Sequence, residues 1–234
     1  MESEDPREQE IIRSWYSNAA PWSHAIRTAS IASRKLVTNG AIVDAVSSVS
    51  PSRVLDLGCG EGWLARALAD RGIRTTGIDA VPELIAQAVS QAVSADPALR
   101  PEFLVQDYSS IADRRWLGGR FDAAVCNFSL LGADSVERLI AVLPFYLESP
   151  GRLIIQTLHP LAACGDQPYV DGWRTGSWLG FSCDFKDPAP WYFRTVESWQ
   201  AMLKRCGFEI LECREPKAAG AVTPASIIWI SSLR

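Results

Sequence analysis

The length, composition and charge of this sequence exclude several classes of protein. Its 234 residues suffice for one α/β domain with a buried core, and hydrophobic and charged shares of 47% and 21% are typical of a folded rather than a disordered chain. The net charge of −4 and the pI of about 5.3 lack the basic surface with which general nucleic-acid binders contact phosphates, so no nucleic-acid partner is expected.

Strand and helix patterns alternate along the chain. Helices are expected around 7–20 and 28–48, before the first strand. The predicted strands, which are short apolar and β-branched runs, are 53–58, 73–79, 102–107, 121–128, 151–158, 208–213 and 226–233. The predicted helices between them are 63–72, 81–93, 135–147 and 196–207. This alternation favours one α/β domain, residues 1–234, with a parallel sheet between helical layers and an antiparallel final pair of strands.

The first residues and the cysteines predict a cytoplasmic location. The chain starts MESEDPREQE, without the basic and apolar regions of a signal peptide, and no apolar run approaches the roughly 20 residues of a membrane helix. We therefore expect no membrane insertion. The cysteines lack CxxC spacing and mostly lie in apolar runs; they are Cys59, Cys126, Cys164, Cys183, Cys206 and Cys213. This pattern predicts reduced, mostly buried thiols and neither a disulfide framework nor a zinc site.

The first strand ends in a glycine-rich turn, within the segment VLDLGCGEGWLA. Gly58, Gly60 and Gly62 allow a tight turn on which a ligand lies directly, beyond the carboxyl end of the strand. A dinucleotide fingerprint needs its third glycine where this chain has Trp63, and a P-loop needs a GK[ST] triplet that does not follow. Asp56 would repel a pyrophosphate and suits a cationic group instead.

The next strand ends carry polar groups suited to one extended ligand. Asp79 ends the second strand, where a carboxylate accepts both hydroxyls of a ribose or caps the following helix. Asp107 and Tyr108 follow the third strand and are placed to meet an adenine ring, although Asp107 also suits the cap of a short helix. Asn127 and Phe128 end the fourth strand.

These motifs together resemble the class I S-adenosylmethionine-dependent methyltransferases. VLDLGCGEG is close to the first motif of that superfamily, and the GID strand end and the late GFEILE strand follow in its order. The resemblance runs from about residue 10 to the C-terminus. It implies a Rossmann-like, doubly wound seven-stranded sheet in the order 3-2-1-4-5-7-6 with strand 7 antiparallel. It also implies an N-terminal helical lid (1–48) and an aromatic-rich acceptor-site insertion (160–194) after strand 5.

The resemblance assigns roles to residues around S-adenosylmethionine. Asp56 and the glycine backbone would hold its methionine part, and Asp79 its ribose. Asp107 and Tyr108 would meet its adenine. The implied cofactor-binding set is Asp56, Gly58, Cys59, Gly60, Gly62, Asp79, Ala80, Asp107, Tyr108, Asn127 and Phe128. Cys59 is expected to be a small packed residue rather than a nucleophile.

His159 is the candidate catalytic residue. It follows strand 5 in the segment QTLHP, at the sheet edge where the cofactor is expected. A general base is needed only for a protonated hydroxyl or amine acceptor, and a histidine there can serve as the base or orient the acceptor. The alternative is a histidine that only caps the strand, fixed by Pro160.

The insertion and the N-terminal segment supply the expected acceptor contacts. Long connections in compact domains are usually functional lids. The indoles of Trp173, Trp178 and Trp191 would form an apolar pocket for a small aromatic or hydrophobic acceptor. The alternative is that the aromatic residues of the insertion pack it onto the sheet or form a homodimer interface.

The N-terminal segment SWYSNAAPWSHAIR resembles the W-x-x-NA-x-x-W pattern of small-molecule methyltransferases of the ubiquinone and menaquinone biosynthesis type. Tyr16 and Trp22 would shield the sulfonium, and Arg27 or Arg34 would meet the methionine carboxylate or an acidic acceptor. Equally, Trp15 and Trp22 would simply pack this helix onto the domain.

The sequence therefore predicts a methyltransferase that acts on a small-molecule acceptor. Methylation of a protein or tRNA is an alternative, against which stand the acidic pI and the lack of an NPPY-type motif at Asn127. A regulatory protein that binds the cofactor without catalysis is a second alternative. A nicotinamide-dependent dehydrogenase is disfavoured by Trp63 and Asp56.

Overall fold

The computed structural model describes residues 5–94, 96–114, 119–182 and 184–234. The strands of its main sheet are β1 (Arg53–Leu57), β2 (Arg74–Asp79), β3 (Glu102–Val105), β4 (Phe121–Asn127), β5 (Leu147–Leu158), β8 (Phe208–Arg214) and β9 (Ser226–Leu233). Their order is β3-β2-β1-β4-β5-β9-β8. The strands β1 to β5 pair with one another in parallel, and β9 is antiparallel to both β5 and β8. The predicted α/β fold and strand order are confirmed.

Helices cover both faces of this sheet. They are α1 (Pro6–Arg27), α2 (Asn39–Ser48), α3 (Trp63–Ala69), α4 (Pro82–Ser90), α5 (Tyr108–Ala112), α6 (Asp134–Val142), α7 (Pro160–Ala163) and α8 (Val196–Arg205). Short 3₁₀ turns lie at Pro97–Leu99 and Leu143–Phe145. A π-helical turn, Arg34–Thr38, leads directly into α2.

Three predicted helix boundaries differ most from the structure. The first helix continues through Pro21 to Arg27 instead of ending near residue 20, because α1 is fixed by tertiary contacts along its length. The second predicted helix begins as the π-helical turn at Arg34. The helix expected to reach residue 147 ends at Val142, because Pro144 cannot donate the next helical hydrogen bond and the chain tightens into a 3₁₀ turn.

The core lies on both faces of the sheet, as expected for parallel strands. Leu55 and Leu57 of β1 pack on one face with α6 and α8, whereas Val54 packs on the other with α2 and α3. This alternation follows from the two-residue period of a strand. Burial on both faces leaves the carboxyl edge of the sheet as the place where loops and ligands meet.

The insertion contains a short hairpin that the sequence does not predict. Its strands, β6 (Gly172–Arg174) and β7 (Trp191–Phe193), form a separate antiparallel sheet. The backbone N–H of Tyr192 donates to the Leu131 carbonyl oxygen at 2.7 Å, so the hairpin is attached to the loop after β4. This contact holds the insertion over the carboxyl edge of the main sheet.

The cysteines follow the prediction in part. Cys59, Cys126 and Cys164 are buried free thiols, whereas Cys213 is exposed. Cys183 lies outside the described residues. No cluster of metal-binding side chains occurs in the described part of the chain. Over the same residues, no helix has both the length and the apolar character needed to cross a membrane.

Candidate cofactor and acceptor site

The glycine turn is built so that its backbone lies against neighbouring elements. Gly58, Gly60 and Gly62 all have positive φ, at +74°, +57° and +81°. A Cβ at Gly58 would overlap the Cβ of Ser129, and one at Gly62 would lie 2.6 Å from Phe103 Cζ. Gly60 has more space, because the nearest atom to an added Cβ is Trp22 Nε1 at 3.5 Å. The turn therefore needs glycine for its conformation and for close packing.

Asp79 joins this turn to the start of α4. Its Oδ2 accepts a hydrogen bond from the Gly60 N–H at 2.9 Å, and its Oδ1 accepts one from the Val81 N–H at 2.9 Å. Burial raises the pKa of the Asp79 carboxyl, and these backbone donors oppose the rise. Asp79 thus caps the helix and also lines the adjoining cavity. Both predicted roles are compatible with this position.

A first cavity, of about 430 Å³, lies between α1 and the ends of strands β1, β2 and β4. Eight members of the predicted cofactor-binding set line it, namely Gly58, Gly60, Asp79, Ala80, Asp107, Tyr108, Asn127 and Phe128. The Asn127 Oδ1 is buried and has no hydrogen-bond partner among the described residues. A buried acceptor without a donor fits a ligand that supplies one.

Asp107 and Tyr108 combine structural roles with their place in this cavity. The Asp107 Oδ1 accepts from the Ser110 N–H at 2.7 Å and so caps α5. The Tyr108 hydroxyl donates to the Ser129 carbonyl oxygen at 3.2 Å. Asp107 is exposed on its remaining side, so capping does not prevent contact with a ligand.

Three predicted cofactor contacts lie behind the cavity wall instead of in it: Asp56, Cys59 and Gly62. Asp56 is 1% exposed, and its Oδ2 has no hydrogen-bond partner among the described residues. Burial and then the nearby Asp79 charge raise the pKa of Asp56 to about 8, against the opposing effect of Arg34. Asp56 is therefore mostly protonated at neutral pH, unlike the predicted anion beside an ammonium group.

A second cavity, of about 290 Å³, adjoins the first under the insertion. The two cavities share Trp15, Trp22, Phe128 and Leu131 in their walls. Phe128 has a φ of +55°, an uncommon conformation for a bulky residue and one that recurs at functional sites. The aromatic residues found only in the second cavity are Trp178, Phe181, Trp191, Tyr192, Phe193 and Trp199.

The predicted acceptor contacts divide into two groups. Trp178 and Trp191 line the second cavity, and Trp22 lines both cavities. The other three lie elsewhere: Tyr16, Arg27 and Trp173. The half-exposed Tyr16 hydroxyl donates to the Ala80 carbonyl oxygen at 3.2 Å, Trp173 stacks with the Arg7 guanidinium at 4.7 Å, and Arg27 is exposed at the end of α1.

The structure does not bring the candidate base His159 into either cavity. Its ring is buried, and its Nε2 lies 3.0 Å from the Oε1 of Glu215. Leu158 and Pro160, on either side of it, line the second cavity. Successive side chains of an extended segment point to opposite faces, so His159 points away from the second cavity while Leu158 and Pro160 point into it.

Sequence reasoning missed several residues of the site. Trp15 lines both cavities, and its spacing of seven residues from Trp22 places the two on one face of α1. Arg194 lines the second cavity, and Leu131 follows the fourth strand end into the site. The helical spacing of the two tryptophans was a usable signal. No pattern in the sequence marks Arg194 as a residue of the site.

Comparisons with known proteins agree with this geometry. Residues 31–213 match a family model described as a methyltransferase domain. The chain is 32% identical over 108 residues to a ubiquinone biosynthesis O-methyltransferase of Xanthomonas axonopodis pv. citri, a match that covers 46% of this chain and 44% of the relative. The chain thus spans less than half the length of the curated relatives it matches.

Solved structures share the fold at low sequence identity. An S-adenosylmethionine-dependent methyltransferase from Mesorhizobium loti has a TM-score of 0.58 and 22% identity, covering 81% of this chain and 97% of its own. The glycopeptide N-methyltransferase MtfA, solved with S-adenosylmethionine, has a TM-score of 0.62 and 16% identity, covering 82% and 86%. The family model covers most of the sheet and the glycine turn, and the chain belongs to the methyltransferase domain family.

Proposed function

We propose that this protein transfers the methyl group of S-adenosylmethionine to a small-molecule acceptor. The observation that carries the proposal is the junction of the two cavities at Trp15, Trp22 and Phe128. A cofactor bound against the glycine turn would meet an acceptor in the second cavity at that junction. Family membership and the names of the matched relatives support this assignment.

The residues of the first cavity fit the cofactor. Gly60 leaves room at the turn for a ligand. The Asp79 carboxylate accepts two backbone hydrogen bonds and still has lone pairs that can accept hydrogen bonds from a ligand. Asn127 adds a buried acceptor that has no donor among the described residues. When bound, S-adenosylmethionine supplies an electrophilic methyl group on a sulfonium. The indole faces of Trp15 and Trp22 suit a cationic neighbour.

Catalysis in this proposal rests on positioning. Methyl transfer needs in-line attack, and holding the reacting groups in line removes much of the entropic cost. No histidine, aspartate, glutamate, lysine or cysteine lines the second cavity within the described ranges. The proposal therefore uses no imidazole, carboxylate, amine or thiol base in that cavity, and His159 is not assigned that role.

The N-terminal segment 1–48 and the insertion 160–194 are proposed to close the site together. Trp15 packs edge-to-face on both Trp22 and Trp178, with ring centroids 5.2 and 5.8 Å apart. α1 and the insertion thus meet directly above the junction. Such a cover excludes water from the reacting groups.

Methyl transfer is tested with labelled cofactor. The purified protein is incubated with S-adenosylmethionine carrying a labelled methyl group and a protein-free, RNA-free metabolite extract. The proposal expects S-adenosylhomocysteine to form and the label to enter a small molecule. Label transfer only to added protein or tRNA would overturn the acceptor class. Cofactor binding without any transfer from several extracts would favour the non-catalytic alternative.

A further inference from the structure

The second cavity is mostly apolar and aromatic, and its walls include two arginines. Arg34 comes from the π-helical turn and Arg194 from the end of the insertion. They are the only charged side chains among the described residues that line this cavity. An aromatic cavity with two cations and no carboxylate favours an anionic occupant.

Arg34 is buried without the partners that a guanidinium normally has. It is 7% exposed, and its Nε and Nη2 atoms have no hydrogen-bond partner in the described part of the chain. Its Cζ lies 5.2 Å from the ring centroid of Trp22 and 5.1 Å from that of Trp63. Thr38, one turn later, also lines the cavity and has a buried Oγ1 without a partner.

The acids near Arg34 do not neutralise it. Burial raises the pKa of Asp56 to about 8, so this carboxyl is mostly neutral at pH 7. Glu61 pairs with Arg66, its Oε2 lying 2.6 Å from Nη2. Burial lowers the pKa of Arg34 only to about 10, so the guanidinium stays charged. A buried charge without hydrogen bonds is costly unless a ligand supplies the missing partner.

Arg194 differs from Arg34 in having its donors satisfied. Its Nη1 donates to the Gly132 carbonyl oxygen at 2.9 Å, and its Nη2 donates to the Ala133 carbonyl oxygen at 2.7 Å. These bonds attach the insertion to the start of α6. Arg194 therefore adds positive charge to the cavity, whereas Arg34 offers free donors.

We propose that the methyl acceptor is an aromatic carboxylate whose carboxyl group is bound by Arg34 and Thr38. The planar fork of a guanidinium matches a carboxylate with two parallel hydrogen bonds, and the Thr38 hydroxyl supplies a further donor. The tryptophan and phenylalanine rings of the cavity hold the aromatic part. This inference rests on the proposed function and names its substrate class.

The test uses 2-naphthoate and its neutral counterpart 2-naphthamide as probes, titrated by tryptophan fluorescence with S-adenosylhomocysteine present. The wild type is expected to bind 2-naphthoate at least about tenfold more tightly than 2-naphthamide, a difference of about 1.4 kcal/mol. Arg34→Gln should abolish this preference. Arg27→Gln, at an exposed arginine outside both cavities, should retain it.

Two results would overturn the inference. One is equal binding of the two probes by the wild type. The other is that Arg34→Gln weakens S-adenosylhomocysteine by about tenfold while leaving 5′-methylthioadenosine, which lacks the amino acid, unchanged. That result would assign Arg34 to the carboxylate of the cofactor.

Two further measurements keep the test decisive. If circular dichroism shows that Arg34→Gln does not fold, Arg34→Lys is used instead. The inference expects Arg34→Lys to keep a weakened preference for 2-naphthoate. Loss of that preference in a folded Arg34→Lys protein would contradict the inference. A wild type that prefers 2-naphthoate yet fails to bind S-adenosylhomocysteine would refute the proposed function and leave the anion site supported.

Discussion

Asn18 of α1 holds the backbone of Lys186 in the insertion through a reciprocal pair of hydrogen bonds. The Asn18 Nδ2 donates to the Lys186 carbonyl oxygen at 2.7 Å, and the Lys186 N–H donates to the Asn18 Oδ1 at 2.9 Å. Ser14, one turn earlier, donates to the Asp187 carbonyl oxygen at 2.6 Å. Asn18 is itself fully buried, and these bonds join α1 to the insertion.

Asn18→Ala should loosen the insertion before the rest of the fold. The change removes both hydrogen bonds, so the Lys186 N–H loses its acceptor and the Lys186 carbonyl oxygen keeps only the Trp178 Nε1–H as a donor, at a cost of about 1–3 kcal/mol. Limited proteolysis should cut within 160–194 faster than in the wild type. Glu10→Ala, at an exposed position on the same helix, is the control. Equal cutting rates in both variants would show that Asn18 does not hold the insertion.

Gly58→Ala should destabilise the protein by more than about 2 kcal/mol. The added Cβ combines the left-handed backbone at φ +74° with overlap on Ser129. Gly40→Ala is the matched control, because it lies in α2 with no atom within 4 Å of an added Cβ. That variant should be neutral or up to about 1 kcal/mol more stable. Chemical denaturation measures both, and similar free energies of unfolding would contradict the account of the turn.

Asp56 should make the protein less stable as the pH rises from about 4 to about 8. The folded state keeps this carboxyl protonated up to a pKa of about 8, whereas in the unfolded chain it ionises near its usual 3.8. Unfolding therefore releases a proton between these values, and stability falls by up to about 1.4 kcal/mol per pH unit. Asp56→Asn removes this contribution.

Denaturation of both proteins at pH 5, 6, 7 and 8 checks this expectation. The free energy of unfolding of Asp56→Asn minus that of the wild type should increase steadily as the pH rises. A constant difference between the two proteins would mean that Asp56 is ionised in the folded state throughout this range.

Trp191 and Trp173 should differ in their effect on methyl transfer. Both lie on the same hairpin, but only Trp191 lines the second cavity. Trp191→Ala should lower transfer at limiting acceptor by about tenfold, because the acceptor loses an aromatic wall, while S-adenosylhomocysteine affinity is retained. Trp173→Ala should leave both the transfer rate and the S-adenosylhomocysteine affinity nearly unchanged. A larger loss in the Trp173 variant would move the acceptor to the other face of the hairpin.

The sheet and the residues that line the first cavity were predictable because their signals are local. The parallel sheet between helical layers follows from alternating strands and helices, and the glycine turn is recognised by spacing alone. Asp79 is located because it is the last residue of β2, the next strand after that turn. Each of these inferences needs only the residues of one or two neighbouring elements.

The acceptor half depends on contacts between distant segments, which the sequence does not encode locally. His159 faces Glu215, and the burial of Arg34 needs Trp22 from α1 and Trp63 from α3. The hairpin strands have only three residues each, too few to show a two-residue period. These positions are set by tertiary packing, so periodicity and spacing alone cannot assign them.

Calorimetric titration with S-adenosylhomocysteine tests the central claim most directly. The wild type should bind with micromolar affinity, and Asp79→Ala should weaken binding at least about tenfold, or about 1.4 kcal/mol. Asp70→Ala, at an exposed aspartate after α3, should bind like the wild type. A folded wild type that does not bind, or an Asp79→Ala protein that binds as tightly as the wild type, would contradict the assignment of the first cavity to S-adenosylmethionine.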